Sequence, residues 1–214
     1  MEDSLLQGFM DKSLTSEELV KEVGDNWDLL PTVIAGVSSS KAAIRYGCAK
    51  VLMDLSEKHP DKLYPYMDFC VDLLDSKYRI LTWNALAIIA NLTKVDDKKK
   101  FDKIFSRYYS LLDDEYMVTV ANVVGNSGKI ALVKPYLTER ISNELLKVEN
   151  ISTGLHLTEE CKRVIAEHAI QSFSIFFDQV KNKEKIIQFV KKYTNSQRKT
   201  LKKEAENFLK KWTS

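Results

Sequence analysis

The sequence predicts an all-α protein made of repeated helix pairs, and three observations support this fold class. The 214 residues include 7 Gly and 4 Pro, too few for the frequent turns of an all-β fold. Hydrophobic residues make up 44% of the chain and charged residues 29%, as in a folded protein with a buried core. In five segments the apolar stripe recurs at i, i+4, i+8 and i+11, which places it on one side of a helix.

A small residue marks the centre of the apolar stripe in each of the five segments. These small residues follow one another after 37, 36, 48 and 36 positions, at Cys48, Ala85, Ala121, Ala169 and Ala205. Self-similarity at such a period is typical of helical-repeat proteins. Each segment also follows another amphipathic segment, so we predict that one repeat is a helical hairpin.

The elements are expected in the following order along the chain. A cap helix near Ser16 to Val23 comes first, and five helix pairs follow, at 26–37 with 40–57, 60–74 with 77–93, 97–112 with 115–127, 130–148 with 158–177, and 182–193 with 196–212. Pro31, Pro65 and Pro135 fall inside first helices and are expected to bend them. Gly125 and Gly128 are interpreted as the end of a second helix.

The fourth unit is longer than the others, and its extra length lies around Glu149 to Leu157. This stretch contains Ser152, Thr153 and Gly154, which predict a loop. Two interpretations stay open, a loop that contacts a partner and a plain surface insertion.

The bent first helix, the Asp-containing turn at Asp75 or Asp113, and the Ile44-Arg45 start of a second helix together resemble HEAT repeats. The resemblance covers residues 26–212. It implies a right-handed α–α superhelix, a HEAT-like solenoid of about five helix pairs, with an extended concave surface formed chiefly by second helices. We therefore expect one repeat domain over residues 1–214, with an N-terminal cap at 1–25, four repeats at 26–178 and a basic capping repeat at 179–214.

Charge is distributed unevenly along the chain. Residues 179–214 hold 11 Lys and Arg against 3 Asp and Glu, and the preceding residues are acidic in balance. Most of the chain therefore lacks the basic surface of a nucleic-acid-binding domain. The candidate contacts to an anionic partner are Arg198, Lys199, Lys202 and Lys203, although lysines that keep a capping repeat soluble explain the pattern as well.

Partner contacts are expected on the second helices. Two positions before each central small residue lies a ridge formed by Tyr46, Trp83, Thr119, Glu167 and Lys203. Exposed aromatic residues among polar ones are typical anchors of an interface, although Trp83 can also lie buried between repeats. The candidate partner-binding residues are Tyr46, Lys50, Asp54, Trp83, Asn91, Asn122 and Asn126.

No catalytic, metal or cofactor site is expected. His59, His156 and His168 fall in different repeats. Only His156 has potential ligands nearby, and the carboxylates beside it, Glu159 and Glu160, are typical of a helix start. Three cysteines without a Cys-x-x-Cys motif indicate reduced thiols.

The sequence thus predicts a noncatalytic scaffold or adaptor that binds a protein or peptide on its concave face. The alternative is a nucleic-acid-binding HEAT-like protein related to DNA alkylation repair glycosylases, for which the nearest candidates are Trp83, Tyr46, Asp54 and Arg45. A third possibility is a subunit of a larger assembly that stacks through exposed Trp27, Leu29 and Leu30. The acidic start and the lack of a long apolar run predict a cytoplasmic protein without a membrane span.

Overall fold

Helices joined by short turns make up almost all of residues 4–213, the part of the chain that this computed structural model describes. The helices in this part are α1 Ser4–Asp11, α2 Ser16–Asp25, α3 Leu30–Gly36, α4 Ala42–Lys58, α5 Pro60–Leu63, α6 Met67–Asp72, α7 Arg79–Leu92, α8 Lys100–Ser110, α9 Met117–Val133, α10 Thr138–Leu146, α11 Glu159–Phe176, α12 Lys183–Lys191 and α13 Lys199–Trp212. None of them has both the length and the apolar character needed to cross a membrane. The chain divides into two compact units, the first ending at Lys100 and the second beginning at Phe101; the expectation of one repeat domain over 1–214 stays a prediction.

The first unit contains the predicted cap helix and one helix that the sequence did not predict. The cap helix α2 begins with a capping box in which Thr15 Oγ1 accepts from the Glu18 amide at 3.2 Å, and its residues Leu19, Val20 and Val23 are buried. The unpredicted helix is α1. Its Phe9 ring packs so closely on α4 that a Cβ added at Gly47 would lie 2.9 Å from the ring.

The residues expected to form an exposed stacking end are partly covered in the first unit. Leu30 is buried. The Trp27 ring meets the His59 ring edge-on, with centroids 5.2 Å apart, and Lys62 Nζ lies 5.7 Å from the Trp27 centroid. The packing of Trp27 and Leu30 within their own unit weakens the case for stacking through this end.

The prolines lie where first helices begin or are interrupted. Pro31 occupies the first turn of α3, Pro65 lies in the 3-10 segment Tyr64–Tyr66 between α5 and α6, and Pro135 starts the 3-10 segment Pro135–Leu137 before α10. Proline fits these positions because it lacks an N–H, and the first turn leaves that group without an intrahelical partner. Where the sequence predicted bends within first helices, the structure therefore has helix starts or short 3-10 segments.

The second unit is built around buried aromatic rings. On α8, Phe101, Phe105, Tyr108 and Tyr109 are buried and contact one another edge-on or tilted. Tyr109 Oη donates to Ser127 Oγ of α9 at 3.0 Å, and burial raises the pKa of this phenol. Towards the C-terminus, Phe177 packs on Phe208 and Trp212. The Tyr109 hydrogen bond joins α8 to α9, and the Phe177 contacts join the end of α11 to α13.

The backbones of α9 and α11 meet at Gly128. A Cβ added there would lie 3.2 Å from both Cα and O of Ser172 and 2.6 Å from Ile175 Cδ1. Ser172 Oγ donates across this contact to the carbonyl of Val124 at 2.6 Å. The expectation that a helix ends near Gly125 and Gly128 is wrong, because these glycines face α11 and α9 continues to Val133, just before Pro135.

The predicted loop in the fourth pair follows the 3-10 segment Lys147–Asn150. Gly154 and Leu157 are joined by two backbone hydrogen bonds of 2.9 and 3.2 Å. Leu155, between them, is 89% exposed. The His156 ring stacks on Tyr116, the residue before α9, with centroids 4.4 Å apart, which anchors the loop to the start of that helix.

Gly128→Ala should lower the free energy of unfolding by about 1–3 kcal/mol, because the added methyl group would lie 3.2 Å from the Ser172 backbone and 2.6 Å from Ile175 Cδ1, so α9 and α11 must shift apart. Gly125→Ala is the matched control on the same helix. Its Cβ would meet no atom closer than His168 Nδ1 at 3.8 Å, so it should raise stability by up to about 1 kcal/mol through helix propensity. Urea unfolding of both variants measures the difference, and equal effects would contradict the close contact at Gly128.

Candidate functional site

An open groove of about 490 Å³ lies between α9 and α11 in the second unit. The lining residues come from one side of each helix and are Met117, Val118, Ala121, Asn122, Gly125, Asn126, Val164 and His168. None of these is Asp, Glu, Lys or Arg. Gly125 leaves the space open because it has no side chain, and Val118 is 37% exposed beside it. The groove therefore offers an apolar surface interrupted by a few polar groups, as ligand sites commonly do.

Two asparagines one turn apart supply most of these polar groups. Asn122 Nδ2 donates to the Val118 carbonyl at 2.8 Å, and Asn126 Nδ2 donates to the Asn122 carbonyl at 2.9 Å. A side-chain amide has two N–H groups and one acceptor oxygen. Among residues 4–213 no further partner is found for either amide. Asn122 is partly exposed and keeps one N–H and its oxygen for another molecule, whereas Asn126 is 8% exposed and offers only the small part of its amide that reaches the groove.

On its other side, α11 joins the groove to the start of α13 through charged groups. Glu167 accepts from Arg198 Nε at 2.6 Å and from Thr200 Oγ1 at 2.7 Å. Glu160 accepts from Arg198 at 2.7 Å and from Arg163 at 3.0 Å. The hydrogen bond from Arg198, followed by that from Arg163, lowers the pKa of Glu160 below its ordinary value, and the bond to Glu167 chiefly raises the pKa of Arg198.

The structure brings Asn122 and Asn126 together in the groove but places Asn91 elsewhere. Asn91 is 3% exposed, and its Nδ2 donates to Ser56 Oγ at 3.0 Å. The interpretation of Asn91 as a partner contact is therefore wrong: it is a core residue that joins α7 to α4. Thr119 of the predicted ridge is also fully buried, because α9 is rotated so that Val118 and Asn122 face outwards instead.

The remaining partner candidates lie in the first unit. Lys50 pairs with Asp54 at 2.5 Å on the surface of α4. Tyr46 meets the Tyr78 ring edge-on, with centroids 6.4 Å apart. Tyr46 and Trp83 are each partly exposed. The surface of the first unit therefore carries two partly exposed aromatic rings and one ion pair whose charges cancel.

Arg45, the residue that carries the resemblance to HEAT repeats, is a buried structural group. It donates to the carbonyls of Ser39 and Ser40 at 2.9 and 3.2 Å, and its guanidinium lies 3.7 Å from the Tyr78 ring centroid. Because Arg45 is 5% exposed, it is not available to a phosphate, which removes one of the four candidates for DNA contact.

The candidate contacts to an anionic partner separate into two kinds. Arg198 is held by Glu160 and Glu167, so the structure corrects its interpretation as a contact to an anionic partner. Lys199, Lys202 and Lys203 are exposed on α13. The nearest carboxylate to Lys202 is Glu206 at 3.8 Å.

Sequence reasoning missed Val118, Val164 and His168 as groove residues. Their signal is weak, because an apolar residue or a lone histidine on an amphipathic helix is more often part of the core. The available clue was the glycine at position 125, where the other repeats carry a larger apolar residue in the same register. Such a glycine opens space beside a helix.

Designed armadillo repeat proteins are similar in structure to this chain. One, YIII(Dq)4CqI, has a TM-score of 0.65 and 18% identity, over 97% of this chain and 91% of that chain. Another, YIII(Dq.V1)4CPAF in complex with the peptide (KR)4, has a TM-score of 0.67 and 16% identity over the same shares. A further engineered protein has a TM-score of 0.58 and 14% identity, over 96% of this chain and 87% of its own.

No protein-family profile and no curated protein matches the chain. Because these identities are below 20%, the structural similarity shows the fold alone. It confirms the predicted class, an all-α helical-repeat fold of the HEAT and armadillo type.

Asn91→Ala should lower the free energy of unfolding by about 1–3 kcal/mol, because Ser56 loses a buried hydrogen-bond partner. Asn122→Ala removes the same atoms from the groove, where the amide is solvated, and should change stability by less than about 0.5 kcal/mol. Chemical unfolding of the two variants compares them. A neutral Asn91→Ala would place Asn91 outside the core.

Glu160→Gln should reduce stability at neutral pH, and the difference from the unsubstituted protein should vanish in acid. The pKa of Glu160 is lowered in the folded state, so its ionised form stabilises the fold above its ordinary pKa of 4.5. This contribution is lost as the pH falls through the lowered value. Thermal unfolding at about pH 7 and about pH 3 tests the sign, with Glu206→Gln as control. A difference that persisted in acid would contradict the ionic role of Glu160.

Proposed function

We propose that this chain is a noncatalytic binding module that holds an extended segment of a protein or peptide in the α9–α11 groove. The observation that carries the proposal is the partly exposed Asn122 amide, with one N–H and one oxygen left over beside apolar walls, and the more deeply placed Asn126 amide one turn further on. These groups match the needs of a polypeptide backbone, which presents one C=O and one N–H per residue. The apolar walls suit its side chains.

Independent support comes from the fold. One of the similar designed proteins was solved in complex with a peptide, (KR)4, so a fold of this kind is compatible with peptide binding. The partner of this chain is a protein or peptide that the amides recognise through its backbone. The location of the groove on the concave side, and a cytoplasmic site of action, remain parts of the proposal.

Tyr46 and Trp83 of the first unit stay candidate contacts in their own right. Both rings are partly exposed, and aromatic rings with polar neighbours are frequent anchors of protein interfaces. Lys50 and Asp54 lie beside Tyr46 on α4 and neutralise each other. This balance suits a protein partner better than a phosphate backbone, whose binding needs unpaired cations.

Gly125→Leu should fill the groove and weaken peptide binding by at least about tenfold, which corresponds to about 1.4 kcal/mol. The ligands are peptides of about ten residues, long enough to span roughly 33 Å when extended, selected from a randomised display library on the unsubstituted protein. Fluorescence anisotropy then measures the Kd of each selected peptide.

Gly24→Leu is the matched control, because an added Cβ at this α2 position meets no atom within 4 Å. It should bind the selected peptides like the unsubstituted protein, and thermal unfolding should show that both leucine variants are folded. Selected peptides that bind Gly125→Leu unchanged would refute the groove as the site.

A further inference from the structure

The α9–α11 groove borders the charged surface of α11 that binds the start of α13. Val164 lines the groove, and Glu160 and Glu167 lie four residues before it and three after it on the same helix. Residues at these spacings are neighbours on a helix surface. Because Glu160 and Glu167 bind Arg198 and Thr200, a segment that leaves the groove across α11 meets the first turn of α13.

The carboxylates along this path are already used by the protein itself. Two carboxylates, Glu160 and Glu167, face two guanidinium groups, Arg163 and Arg198, at 2.6 to 3.0 Å. The lowered pKa of Glu160 reflects the same bonds. A lysine or arginine of a partner would have to displace one of these arginines before it found a carboxylate.

Lysines of α13 carry the surplus charge at this end. Lys199 precedes Thr200 by one residue, and Lys203 follows Thr200 by three and Lys199 by four, so these side chains occupy neighbouring positions. Lys199 and Lys203 are exposed, and within residues 4–213 neither side chain has a carboxylate partner. Lys202 adds a third charge, only loosely balanced by Glu206 at 3.8 Å.

We propose that the segment bound by this groove is acidic on its α13 side: apolar side chains lie between α9 and α11, and Asp or Glu side chains that follow them meet Lys199 and Lys203. This inference rests on the proposed function and adds the chemistry of the partner. Opposite charges across a solvated rim raise the association rate and make binding sensitive to salt.

Sequencing of the peptides selected on the unsubstituted protein gives the first result. Peptides whose binding is lost on Gly125→Leu should be enriched in Asp and Glu at one end. Their affinity should fall by about tenfold in Lys199→Glu/Lys203→Glu and should fall with rising salt. The basic peptide (KR)4 should bind at least about tenfold more weakly than the selected acidic peptides.

Lys185→Glu/Lys191→Glu is the matched control. It makes the same change in net charge on α12, which does not line the groove, and both lysines are exposed. It should leave the affinity of the acidic peptides within about twofold, because neither lysine lies on α11 or α13 beside the groove and salt weakens attraction between exposed charges that do not meet directly. Thermal unfolding shows that both charge-reversal variants are folded.

Two further results separate this inference from the function beneath it. If the peptides depend on Gly125 but are neutral or basic, or bind Lys199→Glu/Lys203→Glu unchanged, the inference is refuted and the groove stands as the binding site. If no selected peptide depends on Gly125, the proposed function fails, and the acidic partner fails with it.

Discussion

The contact between the α9 and α11 backbones at Gly128 is the constraint on which the second unit depends. A glycine allows this approach, because a Cβ there would lie only 3.2 Å from the Ser172 backbone. The hydrogen bond from Ser172 Oγ to the Val124 carbonyl holds the helices at this separation. One turn earlier, the space beside Gly125 is wider, so the groove begins where the contact ends. A change in the contact would alter the width of the groove.

The polar groups around the groove divide between structure and recognition. Glu160, Glu167 and Arg198 satisfy one another and tie the start of α13 to α11. Asn122 and Asn126 each donate one N–H to their own helix, and the rest of the Asn122 amide stays accessible from the groove. Because the carboxylates are engaged, the exposed lysines of α13 determine the local charge. Arg198, a candidate binding residue in the sequence, thus acts by neutralising the carboxylates on the surface of α11.

The periodic apolar stripe was sufficient to predict the helix pairs, because apolar residues at this spacing fall on one face of a helix and on both faces of a strand. The stripe could not predict the rotation of each helix to within one residue, so Thr119 was expected on the surface and is buried. Asn91 and Asn122 are alike as sequence letters, and only tertiary packing separates the residue bonded to Ser56 from the one in the groove. Glycines posed the same difficulty, since Gly125 and Gly128 resemble a helix end when no neighbouring helix is known.

The division of α9 into an inward and an outward face has an evolutionary consequence. Val120, Val123 and Val124 are buried without exposed surface, whereas Val118, Asn122 and Gly125 border the groove. Substitutions distant from the core change stability little, so selection can vary the outward positions while the inward positions preserve the fold. A duplicated copy of such a gene would be able to acquire a new partner through a few outward substitutions. Related chains would diverge fastest at these outward positions of α9.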